Sequence, residues 1–299
     1  MKIVSEEHWV EKGSVKLYVY RKRDVEGPAN KPVLFLVHGS TFSSRGTYDL
    51  MVGGKGDYSA MEHFAGLGYD VWTMDHEGYG YSDRTDSNSG IMVGVEDLKA
   101  AMPVVLERSG QKAVLLFGES SGAIKAGAYA NAEPDNVERL MLHALTYTGT
   151  HAPEMERRRK MADQFRANPR RPFGKAQIDN VFNRDRSGLA DPAIVKAIED
   201  FELKFGDSIP SGTYLDMAVS MPMVDPTKLT CSVAVVRPDH DANATDEELY
   251  EFFMKLATRD KQFIMMRGLP HGGGMVNHQR HRLWHVMHAF MSSPAAPKE

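Results

Sequence analysis

Cysteine is almost missing from this 299-residue chain: Cys231 is the only one. No intramolecular disulfide can form, and a thiol beside an apolar run suits core packing better than attack, so a reducing compartment is expected. A dominant sign of charge is missing too. With 36 basic against 40 acidic residues, a net charge of −4 and the two signs well mixed, there is no basic field for nucleic acid and no polybasic membrane patch. Long hydrophobic runs are also absent, since none approaches the ~20 apolar residues of a spanning helix. The N-terminus turns acidic at Glu6-Glu7 before a leader's apolar stretch could form. No internal repeat and no low-complexity segment occurs. A soluble, cytoplasmic globular protein with no nucleic-acid or membrane partner is expected, and nothing in the chain specifies an oligomeric state.

What is present is a rhythm of short apolar runs and helical spacings. Residues 8–10 and 15–20 alternate around Glu11-Lys12-Gly13-Ser14 and predict a β-hairpin at a sheet edge. Residues 32–37 show no alternation, as a strand buried on both faces requires. Residues 58–67 have helical spacing, 69–74 form another buried strand, and 92–107 predict an amphipathic helix that Pro103 should kink or split. Residues 113–116 and 137–145 add strands. The rhythm resumes after residue 228 with strand 232–236, helix 245–256, strand 262–266 and helix 277–291, and the tail 292–299 is expected to be disordered. This alternation predicts an α/β fold, a mostly parallel central β-sheet flanked by helices through right-handed crossovers. Residues 147–228 read as helical, rich in proline and without a buried strand. They are expected to form an inserted helical cap, with 1–146 and 229–299 as the core.

The sharpest local signal is Phe117-Gly118-Glu119-Ser120-Ser121-Gly122, between the strand at 113–116 and a small-residue helix starting near Ala123. Gly118 and Gly122 flank the serine where a side chain would collide if strand and helix met at a tight angle. This is the G-x-S-x-G nucleophile elbow, and its third position is Ser120 rather than Ser121. A serine hydroxyl needs a base, and the base needs a group that fixes its tautomer. Two loops leaving the carboxyl ends of later strands offer both: Pro238-Asp239-His240-Asp241 and the loop with His271. The oxyanion needs two donors; the Ser121 amide supplies one, and Ser40 or Thr41 in His38-Gly39-Ser40-Thr41 the other.

These stretches together resemble the serine hydrolases of the α/β-hydrolase fold, in the capped esterase/lipase-like subgroup, over nearly all of residues 15–291. His38-Gly39 resembles that family's oxyanion loop, Asp75 to Ser82 its D-x-x-G-x-G-x-S loop, and Gly118 to Gly122 its elbow. The resemblance implies Ser120 as nucleophile, His271 as base and Asp241 as the acid. Asp239 is the alternative acid, because Pro238 stands where family members often have glycine. It further implies cleavage of a carboxylic ester, lactone or activated amide of a small, largely apolar molecule through an acyl-enzyme on Ser120. Carbon-carbon bond hydrolysis, acyl transfer and non-catalytic ligand sensing are alternatives on the same scaffold. A serine at the elbow argues against epoxide hydrolase or haloalkane dehalogenase chemistry, which uses a carboxylate there.

Glu77 stands where the family often has arginine, and it either braces its loop or binds an amine or hydroxyl of the substrate. Met217 and Met221, with Met223, predict an adaptable apolar wall for the substrate. Residues 154–186 are visibly basic: Arg157, Arg158, Arg159, Lys160, Arg166, Arg170, Arg171, Lys175, Arg184 and Arg186 outnumber the acids. That run is either a solvated face or a field that attracts an anionic substrate. Ile194, Val195, Ile198, Phe201 and Phe205 have the spacing to pack the cap onto the body. His278, His281, His285 and His288 share one face of the last helix without clustered carboxylates, so neither metal nor other cofactor is expected.

Overall fold

The computed structural model describes residues 1–53, 57–272 and 274–294. Its strands are β1 (Ile3–Lys12), β2 (Val15–Asp24), β3 (Val33–Val37), β4 (Asp70–Met74), β5 (Val114–Glu119), β6 (Val137–His143), β7 (Arg170–Pro172), β8 (Ser208–Pro210), β9 (Ser232–His240) and β10 (Lys261–Pro270). Eight of them form one sheet in the order β1-β2-β4-β3-β5-β6-β9-β10. β2 is antiparallel to its neighbours β1 and β4, and every other pairing in this sheet is parallel.

The predicted α/β architecture with its edge hairpin is what forms. The hairpin closes at Gly13-Ser14, with Gly13 at φ +59°, but pairs on to Ile3 and Asp24. Its outer half is held by ion pairs of Glu6 with Arg21 (3.1 Å) and Arg23 (2.9 Å), which leave no trace in an apolar alternation. In β3, Val33, Phe35 and Val37 enter one core and Leu34 and Leu36 the other, so all five are buried and the run reads as uniformly apolar. The first core is roofed by helices Ile91–Ser109 and Ser121–Ala132, the second by Ala60–Gly66 and Arg280–Met291. Helix Ile91–Ser109 passes through Pro103 as one element; the proline is exposed, where water can satisfy the carbonyl it leaves free.

Between β6 and β9 lie the helices Pro153–Lys160, Ala162–Ala167, Lys175–Asn183, Pro192–Glu202 and Gly212–Val219. Ile194 and Ile198 are buried there with Phe42, Leu50, Phe173, Ile178, Phe182 and Val276, joining the insertion to the body. Phe205 meets Tyr81 edge-on at 4.9 Å, and Phe201 is half-buried. The segment is not wholly helical, since β7 and β8 pair antiparallel within it. Three residues each, two of them arginines and two of them prolines, give no apolar run by which to expect a strand. Ser292 and Ser293 still hydrogen-bond to the last helix through His288 and Phe290 carbonyls, and the rest of the expected disordered tail, from 295 on, lies outside the described residues. Among the described residues no helix is long and apolar enough to cross a membrane.

Candidate active site

Three strands each end one residue before a candidate catalytic side chain: β5 before Ser120, β9 before Asp241 and β10 before His271. Parallel strands deliver these residues to one edge of the sheet, and the His271 amide bonds the His240 carbonyl (3.0 Å) to lock the two later loops together. Ser120 Oγ lies 2.8 Å from His271 Nε2, and His271 Nδ1 lies 2.8 Å from Asp241 Oδ1. Asp239 points elsewhere, its carboxylate accepting the Gly268 amide at 2.6 Å. The geometry therefore brings Asp241, not Asp239, to the histidine.

Ser120 sits at φ +60°, ψ −124°, a region that costs a non-glycine residue about 1–3 kcal/mol. The surrounding contacts hold it there. Its amide donates to the His143 carbonyl (2.9 Å), and a Cβ on Gly118 or Gly122 would overlap the backbone of Gly122 or of Val37 and His38 respectively. Ser40 Oγ donates to Ser121 Oγ (2.7 Å), tying the loop after β3 to the residue after the nucleophile. Ser40 and Thr41 both line the cavity over Ser120.

Asp241 is fully buried, and burial raises its pKa, but His271, Arg237 and the Asn243 amide outweigh it and hold the carboxyl below its ordinary range. Arg237 Nη1 is 3.4 Å from Asp241 Oδ2, and the Asn243 amide donates to Oδ1 at 2.8 Å. Asn243 also reaches the base. Arg184 donates to its Oδ1 (3.2 Å), which turns the Asn243 amide group toward His271 Nε2 at 3.0 Å. Glu119 lines the cavity beside the serine, its pKa pushed up to about 8 by burial, while burial drives the neighbouring His143 down to about 3. Their closest atoms are 3.8 Å apart, so both are neutral at pH 7 and neither satisfies the other.

Above Ser120 and His271 is a cavity of about 440 Å³. The body lines it with Gly39 to Phe42, Met275 and Val276, the insertion with Arg157, Arg158, Met161, Phe165, Arg171, Val181, Arg184 and Tyr214. Two guanidinium groups, those of Arg158 and Arg171, pack on the Tyr214 ring, each 3.9 Å from its centroid. Burial pushes the Tyr214 phenol up, but Arg171, Arg158 and Arg184 outweigh it and bring it down to about 7.

The family model for serine aminopeptidases, S33, matches residues 29–273, most of the chain and all three of these side chains. The chain belongs to that family. Solved α/β-hydrolases share the fold across its length. An epoxide hydrolase from Vigna radiata has a TM-score of 0.69 at 16% identity, covering 96% of this chain and 97% of that one. E-2-(acetamidomethylene)succinate hydrolase has 0.68 at 17%, covering 97% and 100%. The enol-lactonase from Burkholderia xenovorans LB400 has 0.66 at 15%, covering 96% and 100%. No curated protein matches the sequence.

This S33 chain is thus a member of a hydrolase family, and its site corrects several sequence expectations. Glu77 does not line the cavity: its carboxylate bonds Lys12 (2.7 Å) and Thr85, bracing the loop after β4. Met217 lies behind the wall, where its sulfur accepts from Arg158 at 3.2 Å, and Met221 packs on the core roofed by helices Ile91–Ser109 and Ser121–Ala132. The expected apolar methionine wall is instead a mixed one in which arginines alternate with Phe165, Met161 and Val181. The histidines of the last helix disperse: His288 bonds the Tyr69 hydroxyl (3.0 Å) and His281 packs on Trp284. Among the described residues no group of three or more His, Cys, Asp or Glu could hold a metal ion. Asn243, Arg237 and Tyr214 were missed. Asn243 follows Asp241 by two residues, a spacing at which an aspartate commonly binds a backbone amide, while Tyr214 carried no local signal.

Proposed function

We propose that this protein is a serine hydrolase that cleaves a carboxylic ester, or a lactone or activated amide, through an acyl-enzyme on Ser120. The observation that carries the reading is the continuous Ser120–His271–Asp241 chain of 2.8 Å contacts beneath a cavity lined by both the body and the insertion. His271 Nε2 takes the hydroxyl proton as Ser120 Oγ attacks the carbonyl carbon, and Asp241 stabilises the imidazolium that forms. The carbonyl oxygen becomes an oxyanion facing the Ser121 amide and the amide of Ser40 or Thr41. Collapse breaks the bond to the leaving group, which receives the proton from His271. Water then adds to the acyl carbon with His271 again as base, and the carboxylic acid departs from a regenerated Ser120.

The body carries the machinery, and the insertion between β6 and β9 acts as the cap that selects the substrate. An elbow aspartate would open an epoxide; a serine there favours acyl chemistry. Hydrolysis of 4-nitrophenyl acetate and butyrate, with a burst of nitrophenol equal to the enzyme present and loss of both in Ser120→Ala, is the expected result. Full turnover by Ser120→Ala would refute the reading.

A further inference from the structure

The wall opposite Ser120 carries more positive charge than the protein neutralises. Arg157, Arg158, Arg171 and Arg184 line the cavity, with Glu119 as the only carboxyl among the lining residues described. Behind the wall, Glu154 pairs with Arg157 (2.7 Å) and Arg158 (3.1 Å), and Asp185 with Arg184 (3.1 Å). Three of the four guanidiniums therefore share two carboxylates. Arg171 has no carboxylate partner among the described residues: its Nη2 donates to the Ser40 carbonyl (2.6 Å), and its Nε is buried without a partner.

Arg158 is 3% exposed, and its hydrogen bonds run from Nε to Glu154 and from Nη1 to the Met217 sulfur, a weak acceptor. Beyond its ion pair with Glu154, Arg158 has only this weak acceptor at Nη1, which leaves it capacity to donate to a further acceptor in the cavity. Tyr214 explains the geometry. Arg158 and Arg171 both stack on its ring, each 3.9 Å from the centroid, and both line the cavity. Burial also keeps Glu119 protonated at neutral pH, so the wall has no charged carboxylate to receive an ammonium group.

From this we infer that the substrate carries a carboxylate, held by Arg171 and Arg158 at Tyr214 while Ser120 attacks the acyl carbon. The inference rests on the hydrolase reading and adds the substrate's charge. A planar carboxylate matches the two guanidinium forks and supplies the carboxylate partner that Arg171 lacks. It also reaches the reaction centre, because Arg171 holds the carbonyl of Ser40 in the loop that faces the oxyanion. A peptide's free α-ammonium, the group an aminopeptidase binds, meets net positive charge here.

The test compares 4-nitrophenyl hydrogen glutarate with uncharged 4-nitrophenyl pentanoate. Wild-type kcat/KM is expected to favour the glutarate by about tenfold or more at low salt, mostly through KM, and less at high salt. Arg171→Gln and Arg158→Met should each erase most of that ratio, with Arg171→Lys keeping part of it; circular dichroism confirms that each folds. A wild-type ratio near one, or a ratio that survives both substitutions, overturns the inference while leaving the hydrolase reading intact. If neither ester turns over, the hydrolase reading fails, and calorimetry decides the anion site alone. Glutarate should bind Ser120→Ala protein and lose that binding when Arg171→Gln is added; no binding overturns the site. Inorganic phosphate binding more tightly than glutarate would overturn the assignment to a carboxylate.

Discussion

Replacing Lys125 by methionine should stabilise the protein, by an amount that shrinks as pH rises. Lys125 lies on the helix that follows Ser120, fully buried, with no hydrogen-bond partner for its ammonium among the described residues. Its stem fills the space opposite Gly94, and its Nζ stands 5.8 Å from the centre of the Tyr79 ring. Burial pushes its pKa down to about 7, with Asp97 opposing the shift. The unfolded chain holds that proton up to about pH 10.4, so between roughly pH 7 and 10.4 the unfolded state binds more protons than the native one. Native stability therefore rises with pH across that window, and below it the penalty is at its full value. At 1.36 kcal/mol per pKa unit the penalty is ~4 kcal/mol at pH 7 and ~1–2 kcal/mol at pH 9.5. Methionine keeps the volume of the stem and removes the charge. Guanidinium unfolding of wild type and Lys125→Met at both pH values should show a gain that falls by ~3 kcal/mol between them. A variant less stable than wild type at pH 7, or a gain independent of pH, would refute the account.

Ser120→Gly should remove activity yet raise unfolding free energy by about 1–3 kcal/mol in denaturant, since glycine accepts the φ of +60° without strain. Asp241→Asn should lower kcat by about 10⁴, as the loss of the orienting acid does in serine enzymes. Asp239→Asn, which removes the charge of a carboxylate that bonds the Gly268 amide rather than His271, should retain most activity; the reverse order would reassign the acid. Arg237→Met removes one cause of the low Asp241 pKa, so Asp241 takes up its proton at higher pH. The acid limb of the kcat/KM profile should move upward, and an unmoved limb would show that Arg237 does not act on the site.

The body of the fold was legible because its central strands are buried on both faces, and an apolar run as short and uniform as residues 33–37 fits little besides a strand between two helical layers. The hairpin was cut short in sequence because its far half is held by Arg21, Arg23 and Glu6, not by apolar alternation. Ser120 and His271 were legible because each stands in the loop after an apolar strand, and the elbow glycines mark backbone that leaves no room for a Cβ. Of the two readings of Glu77, sequence could not choose bracing over substrate contact because its partner Lys12 is 65 residues away on the edge hairpin. The apolar character of Met217 suggested a place in the wall without saying on which side of it the side chain stands. The basic run of residues 154–186 was visible as charge; that four of its arginines line one cavity, two of them on Tyr214, depends on how the helices of the insertion and β7 pack.

The central claim is that Ser120 is the nucleophile, driven by His271. Reacting the protein with an uncharged fluorophosphonate and sequencing the modified peptide by mass spectrometry tests it most directly. One adduct per chain on Ser120 is predicted, absent in Ser120→Ala and formed far more slowly in His271→Ala. An adduct on Ser121, or labelling of Ser120 at the same rate without His271, would contradict it.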